Sequence, residues 1–593
     1  MWQGIQGSYS FLLVIIITFY AGELVWRERS RGVKDVFDAL PTPNVVFLVS
    51  KTVALLAVTL TFLATGVLAA IGIQIYRGYT NFELGLYAKG MVVYGYPFLL
   101  IAVLAIFLQV ISNNKFFGFM LMILFMLSGI IFNAFDLTHN LYNYASSPGS
   151  TYSDMNGFGH FVTGLFWFNL YWTFAAFALL ALASLLWVRG REGAPKFRLR
   201  LAGQRLHGPV RVLLAVSVVG FLATGAWIFY NTNILNEYVP PDVGEERQAE
   251  YEKQYRQYLD LPQPRIVAVK TDVDIFPYER RIEARGTYSL INKHDEPISE
   301  LHMGLPQAAT FNELRLPAHQ VRVADDVLGY YIYDLEEPLA PGEEFEIFFD
   351  LTVEPQGFVN SGSDTSLVYN GTFFNNFQYF PQLGYNTGAQ LVDRNDRRKH
   401  GLEPVLRMAK VDDYEARYEN YVTRHSDWID FETTVSTAAD QIVIAPGYLQ
   451  EERVEGDRRY FRYAMDAPIL HFYSYLSARY EVLRDSWNDV AIEIYYHPGH
   501  EYNIERMVQS IKDSLEYFSA NFSPYQHRQM RIIEFPRYAS FAQAFPNTVP
   551  FSESLGFIAR LEDEPDAIDY VYYVTAHEVA HQWWAHQVIG GNV

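Results

Sequence analysis

The chain has 593 residues, half of them hydrophobic, with a formal net charge of −20 and no cysteine. The lack of cysteine removes disulfides, thiolate metal ligands and cysteine nucleophiles. The charge is split: residues 1–230 carry 15 Lys/Arg against 8 Asp/Glu, net +7, and the other 363 residues carry 31 against 58, net −27. An acidic balance of that size argues against nucleic acid or an anionic lipid surface as partner of the second part.

Six uncharged runs in the first part meet the requirement of about 20 apolar residues for a helix that crosses a bilayer. They lie near Trp2 to Gly22, Thr52 to Ile75, Met91 to Ile111, Phe116 to Phe135, Phe161 to Val188 and Val212 to Tyr230. One such run fits a buried helix of a soluble protein; six in succession read as a multi-pass membrane domain with the lipid bilayer as partner. Basic residues flank the first connection (Arg27, Arg29, Arg31, Lys34, Lys51), the third (Lys115) and the fifth (Arg189, Arg191, Lys196, Arg198, Arg200, Arg205, Arg211), whereas Asp136 to His160 has none. Those three connections are therefore expected in the cytoplasm, and everything after Tyr230 outside it. No charge lies deep in a span, so no ion pathway is legible. Gln109 and Asn169 are read as helix-to-helix hydrogen bonds.

Asn236 to Pro264, with Pro240-Pro241 and a charged stretch from Gly244 to Leu259, reads as a linker holding a solvated helix. Beyond it Val267, Val269, Thr271, Val273 and Ile275 alternate with polar neighbours, as do Ile282, Ala284, Tyr288 and Leu290, and short strands with turn signals continue to about Val482. After Pro498 the spacing of Ile504, Met507, Val508, Ile511, Leu515, Phe518 and Phe522 predicts an amphipathic helix over Glu501 to Phe522. A strand, Met530 to Phe535, follows. The expected organisation is a transmembrane domain over 1–235, a linker over 236–265, a β-rich domain over 266–485 and an α/β catalytic domain over 486–593.

His577, Glu578 and His581 spell His-Glu-x-x-His. On a helix the two histidines leave one face and can share a zinc ion at about 2.0–2.1 Å. Glu578, turned by roughly 100°, sits beside the ion, where a carboxylate accepts a proton from water. Asp563, Glu564 and Pro565 predict the start of that helix and Gly590-Gly591 its stop, about 25 residues in all. A catalytic zinc also needs a third protein ligand. His586 is rejected for that place, lying about 140° round the expected helix from His581.

The β-domain, the segment Pro550-Phe551-Ser552-Glu553-Ser554 and His577-Glu578-x-x-His581-Gln582-Trp583-Trp584 together resemble the aminopeptidase N family of zinc metallopeptidases, the gluzincins. With six preceding spans the chain looks like bacterial fusions of an ABC transporter permease to such a peptidase. The resemblance implies a thermolysin-like catalytic domain, zinc as cofactor, and a peptide substrate with a free N-terminus. It gives Glu553, 24 residues before His577, the substrate's α-amine, although only the glutamate of the family's Gly-Ala-Met-Glu-Asn strand is kept. It also implies placement in the bacterial inner membrane and a separate ABC ATPase subunit, since no phosphate-binding loop of the form Gly-x-x-x-x-Gly-Lys-Ser/Thr occurs. The family's third zinc ligand is a glutamate nineteen positions past the second histidine, which here is position 600, beyond Val593. On that reading the chain is a truncated piece of a longer protein and inactive by itself. Two functions stay open: a membrane-tethered zinc aminopeptidase fused to a permease, or a transport subunit whose peptidase-like domain only binds.

Overall fold

The computed structural model describes the chain apart from residues 1, 190–194, 406–409, 411, 415–421, 423, 562–566 and 590–593, and apart from the side chains of 2–8 and 195. Arg191, Asp563, Glu564, Pro565 and Gly590-Gly591 lie outside the described residues. The chain divides into two compact units. One comprises Met1–Ser150, Phe161–Pro240 and Gly357–Ser363; the other comprises Thr151–His160, Pro241–Gln356 and Asp364–Val593.

In the first unit, six helices among the described residues are long and apolar enough to cross a membrane: Tyr9–Ser30, Asn44–Tyr76, Leu84–Ile111, Lys115–Ala134, Phe161–Leu186 and Gly208–Leu235. Small and apolar residues such as Ala21, Ala102, Ala105 and Ala183 are buried between them with Leu13, Leu55 and Ile106, while Phe116, Ile130, Val219 and Leu222 point outward. Outward-facing leucine and phenylalanine along a whole helix suit lipid rather than water. Gln109 makes the expected interhelical bond, accepting from Trp26 Nε1 at 2.9 Å. Asn169 does not, because its buried Oδ1 has no partner. Arg189 donates to the Leu40 and Thr42 carbonyls, and Lys115 pairs with Glu23 at 2.6 Å. The basic connections thus gather at one end of the unit, as alternation of the helices requires.

After its segment Thr151–His160, the second unit continues with the helix Pro241–Tyr255. It is not a solvated linker helix: Ala249, Tyr251, Glu252 and Tyr255 are buried, and Tyr255 stacks on Tyr330 at 4.2 Å. Charge density along the sequence hid this face, because its buried acid, Glu252, is neutralised by Arg397 from far along the chain.

A seven-stranded sheet follows, in the order 448–455, 458–464, 426–438, 265–276, 281–291, 344–353, 310–315. The alternation read from the sequence places Val269, Val273, Ile275, Ile282, Ala284, Tyr288 and Leu290 inside. A bulge between Ile266 and Ala268 shifts the start of the first strand, so Ile266 is buried rather than Val267. Gly286 takes an inward position where a Cβ atom would stand 2.2 Å from the Phe349 ring. Close approach of that ring, not backbone freedom, requires glycine there.

The last part is a four-stranded sheet in the order 481–487, 490–496, 529–535, 548–552, antiparallel for the first pair and parallel for the next two. The helix Ile504–Asn521 is the crossover between the first parallel pair. It buries Ile504, Met507, Val508, Ile511 and Leu515 of the predicted stripe, each contributing about 1.5–3 kcal/mol, while Phe518 is part-buried and Phe522 is 58% exposed. The helix carrying the histidines packs on it.

Candidate metal centre

The motif helix is shorter than its sequence pattern. It spans Tyr570–Ala580, and the Asp569 side chain caps it by accepting the Tyr572 amide at 3.0 Å. His581 is the residue at its C-terminal cap, and turns follow. The apolar stripe overran because Trp583 and Trp584 continue it chemically while leaving the helix. Trp583 is buried against Phe518 and donates to the Ser523 carbonyl at 2.8 Å; Trp584 leans on Phe522 and stays 43% exposed.

His577 and His581 remain on one face, with their Nε2 atoms 3.1 Å apart. Two nitrogens at about 2.0–2.1 Å from one ion in a tetrahedral set stand roughly 3.3 Å apart, so the pair already has the span of two ligands. His581 Nδ1 lies 3.1 Å from the Trp584 carbonyl. Donating there leaves the lone pair on Nε2, the tautomer a metal needs. Burial and the neighbouring His581 lower the pKa of His577, which keeps that ring neutral and able to ligate. Glu578, the residue after His577, is buried, and burial pushes its carboxyl up to about 7 against the bond from the Ala544 backbone. Its Oε2 is buried without a partner. A carboxylate held near neutrality beside two converging imidazoles fits a proton acceptor in a zinc site. Among the described residues no third His, Asp or Glu converges with His577 and His581. His586 is off the helix altogether, buried, with Nε2 3.1 Å from the Ala544 carbonyl.

What holds the helix in place is Gln582, which the sequence pattern did not single out. It is fully buried; its side-chain oxygen accepts the Asn547 amide at 2.9 Å and its nitrogen donates to the Phe545 carbonyl at 3.0 Å. Those two backbone groups form the tip of a hairpin whose arms are Phe541–Phe545 and Thr548–Ser552. Asn547 turns the tip at φ 50°, a conformation asparagine tolerates. The strand 548–552 is therefore not an open edge. It pairs with 529–535 on one side and with Phe541–Phe545 on the other, and the Pro550 carbonyl accepts the Gln543 amide.

Glu553, the residue expected to face the substrate's α-amine, stands directly after the strand 548–552. Ala544, which faces Glu578, lies opposite Val549 in the hairpin, and Glu553 follows four residues after Val549, just past the strand's end at Ser552. It is fully buried, and its oxygens accept from Ser153 Oγ (2.5 Å), the Asp154 amide (2.7 Å) and the Arg537 amide (3.1 Å). Spacing in sequence matched the family while the chain between ran out along the strand. Around it is a buried charge cluster. His500 Nδ1 is 2.6 Å from Glu534 and its Nε2 is 3.5 Å from Asp154. Burial alone would lower the His500 imidazole, but its bonds to Asp154 and Glu534 hold it up at about 10, so it is the cation of the cluster. Ser153 and Asp154 stand some 400 residues from Glu553, and no local pattern marks them.

No family model matches the chain, and no curated protein does. Solved structures similar to it include a two-domain M1 zinc metallopeptidase, a mutant bound to L-arginine, at 13% identity and TM-score 0.36, covering 56% of this chain and 66% of that one. Two structures of an M1 zinc metallopeptidase from Deinococcus radiodurans, one a mutant, are also similar at 13% identity. Their TM-scores are 0.37 and 0.38, covering 56% and 57% of this chain and 67% and 70% of theirs. The chain thus spans about two thirds of the length of these solved chains. At such values the likeness is loose and assigns no chemistry; the residues of the site do that.

Proposed function

We propose that the second unit is a zinc-dependent peptidase module carried on a membrane-spanning helical unit. The observation that carries this is the convergence of His577 and His581 Nε2 to 3.1 Å beside the buried, unpartnered Glu578 Oε2. Zinc bound by these imidazoles supplies Lewis acidity toward water and the peptide carbonyl. Glu578 takes the proton from water as its oxygen attacks the carbonyl carbon, and returns it to the nitrogen that leaves. His581 is kept in the ligating tautomer by the Trp584 carbonyl, and Gln582 fixes the helix against the hairpin. The proposed substrate is a peptide, cut near a free N-terminus as the resemblance implies; Glu553 is not offered as its amine anchor, since its oxygens are taken. The basic end of the first unit faces the cytoplasm of a bacterial cell, the second unit lies outside, and the helical unit acts as an ABC permease with a separate ATPase.

A second reading, a module that binds peptide without cutting it, is favoured by the occupied oxygens of Glu553. Zinc content by elemental analysis and release of a chromogenic amine from an aminoacyl anilide separate the two. In a chain that carries the third ligand the resemblance implies, Glu578→Gln is expected to keep zinc and slow release by about 10²–10⁴, and His581→Ala to lose zinc. Zinc without hydrolysis supports the second reading only in a chain that also carries the third ligand the resemblance implies. Zinc retained after both histidines are replaced refutes the centre itself.

A further inference from the structure

The end of the first unit where the basic connections gather holds a cavity of about 440 Å³. Its lining includes Arg29, Lys34, Lys51 and Arg198 against Glu28 and Asp38, an excess of two positive charges. Lys51 is matched by Glu28 at 2.8 Å, and Lys34 by Asp38 at 4.0 Å. Arg29 and Arg198 form no carboxylate ion pair within 4.0 Å among the described residues, although Asp38 and Glu28 lie near enough to Arg29 to act on its charge and its Nη2 donates to the Val188 carbonyl at 3.4 Å. Arg198, 8% exposed, is pinned by its outer nitrogens: Nη1 donates to the Ile111 carbonyl (2.9 Å), and Nη2 to those of Val110 (2.5 Å) and Leu186 (2.9 Å). Capping these helix ends accounts for both outer nitrogens but not for Nε, which is buried and unpartnered. An orphaned guanidinium N–H in a cavity of positive excess calls for an anion.

Arg29 lies over the Trp26 ring at 4.6 Å, and Trp26 is fixed in turn by its bond to Gln109. Its guanidinium is thus held in place before any ligand arrives. The Arg29 guanidinium and the unpartnered Arg198 Nε–H offer directed donors, which suit phosphate oxygens better than a spherical anion. A basic pocket between helices at a membrane face is also where phosphate headgroups lie within reach. We propose that this cavity binds a phosphate-bearing anion, held between Arg29 and Arg198 with the indole of Trp26 against it.

The test uses the full chain in a maltoside detergent, which carries no phosphate, and follows its thermal unfolding midpoint and tryptophan fluorescence. The probes are inorganic phosphate, dioctanoyl phosphatidylglycerol, and dioctanoylglycerol as the lipid without phosphate. A saturable rise in midpoint with phosphate identifies a site for a soluble phosphate. A rise with phosphatidylglycerol alone, absent with dioctanoylglycerol, identifies the lipid headgroup as the source. In either case Arg29→Gln is expected to weaken the apparent affinity about tenfold. Arg211→Gln, an exposed basic residue of the same end outside the lining, should leave it unchanged. Arg198→Gln is expected to weaken it further; since it also uncaps two helix ends, the decision rests on Arg29→Gln. Equal response to phosphatidylglycerol and dioctanoylglycerol together with no response to phosphate overturns the proposal, as does unchanged affinity in Arg29→Gln.

Discussion

Gln582→Ala is the substitution whose outcome follows most directly from the structure. The Asn547 amide has Gln582 as its acceptor and is fully buried, so truncation leaves a buried N–H unsatisfied, at about 1–3 kcal/mol. The Phe545 carbonyl keeps the Thr548 amide at 3.1 Å, so its loss is smaller. With the side-chain volume removed as well, the expected cost is about 2–4 kcal/mol. It should be local, because both bonds end on the tip of one hairpin. Hydrogen exchange read by mass spectrometry measures this: protection of residues 541–552 should fall by roughly 30- to 1000-fold, at a factor of ten per 1.4 kcal/mol, while that of the seven-stranded sheet holds. Gln582→Met, which keeps the volume without the bonds, should show most of the same loss. Unchanged protection of the hairpin in both variants would refute the clamp, and a uniform loss over the whole unit would refute its locality.

Other outcomes follow from the same geometry. Glu553→Gln should slow cleavage of free-amine and amine-blocked peptides alike, because it removes one acceptor from three converging donors inside the protein; a selective loss on free-amine substrates would restore the anchor role. His500 faces Asp154, Glu534, Glu553, His497 and Arg537, and its folded pKa of about 10 exceeds its ordinary 6.5. The stability it contributes is therefore complete below about pH 6.5 and lost as pH rises through about 10. The unfolding midpoint should decline over that window and His500→Gln should flatten the decline, whereas an identical slope in both proteins counts against the cluster. Arg397→Met strands Glu252, both groups being 2% exposed or less, and should cost about 3–5 kcal/mol, less what Arg256 offsets at 2.6 Å. Adding Glu252→Gln should recover part of it in a double-mutant cycle, and full additivity would deny the pair any coupling.

The readable features of this chain were those in which a local rule and the solvent agree. Six apolar runs became six long helices because each stretch satisfies its own backbone hydrogen bonds, and the strands around Val269 and Tyr288 became half-buried because a period of two needs no knowledge of the partner. The convergence of His577 and His581 was legible for the same reason, since one helical turn sets their spacing. The failures are all long-range. The charged helix Pro241–Tyr255 is buried by an arginine some 145 residues away, and the motif helix ends at Ala580 although the apolar sequence runs on. Glu553 sits at the expected number of residues from His577, yet Ser153 and Asp154, some 400 residues away, take its oxygens. Periodicity reports what a residue does to its own turn or strand. Which distant group neutralises a charge, or fills a carboxylate's reach, depends on how the chain closes on itself, and only the tertiary structure decides that.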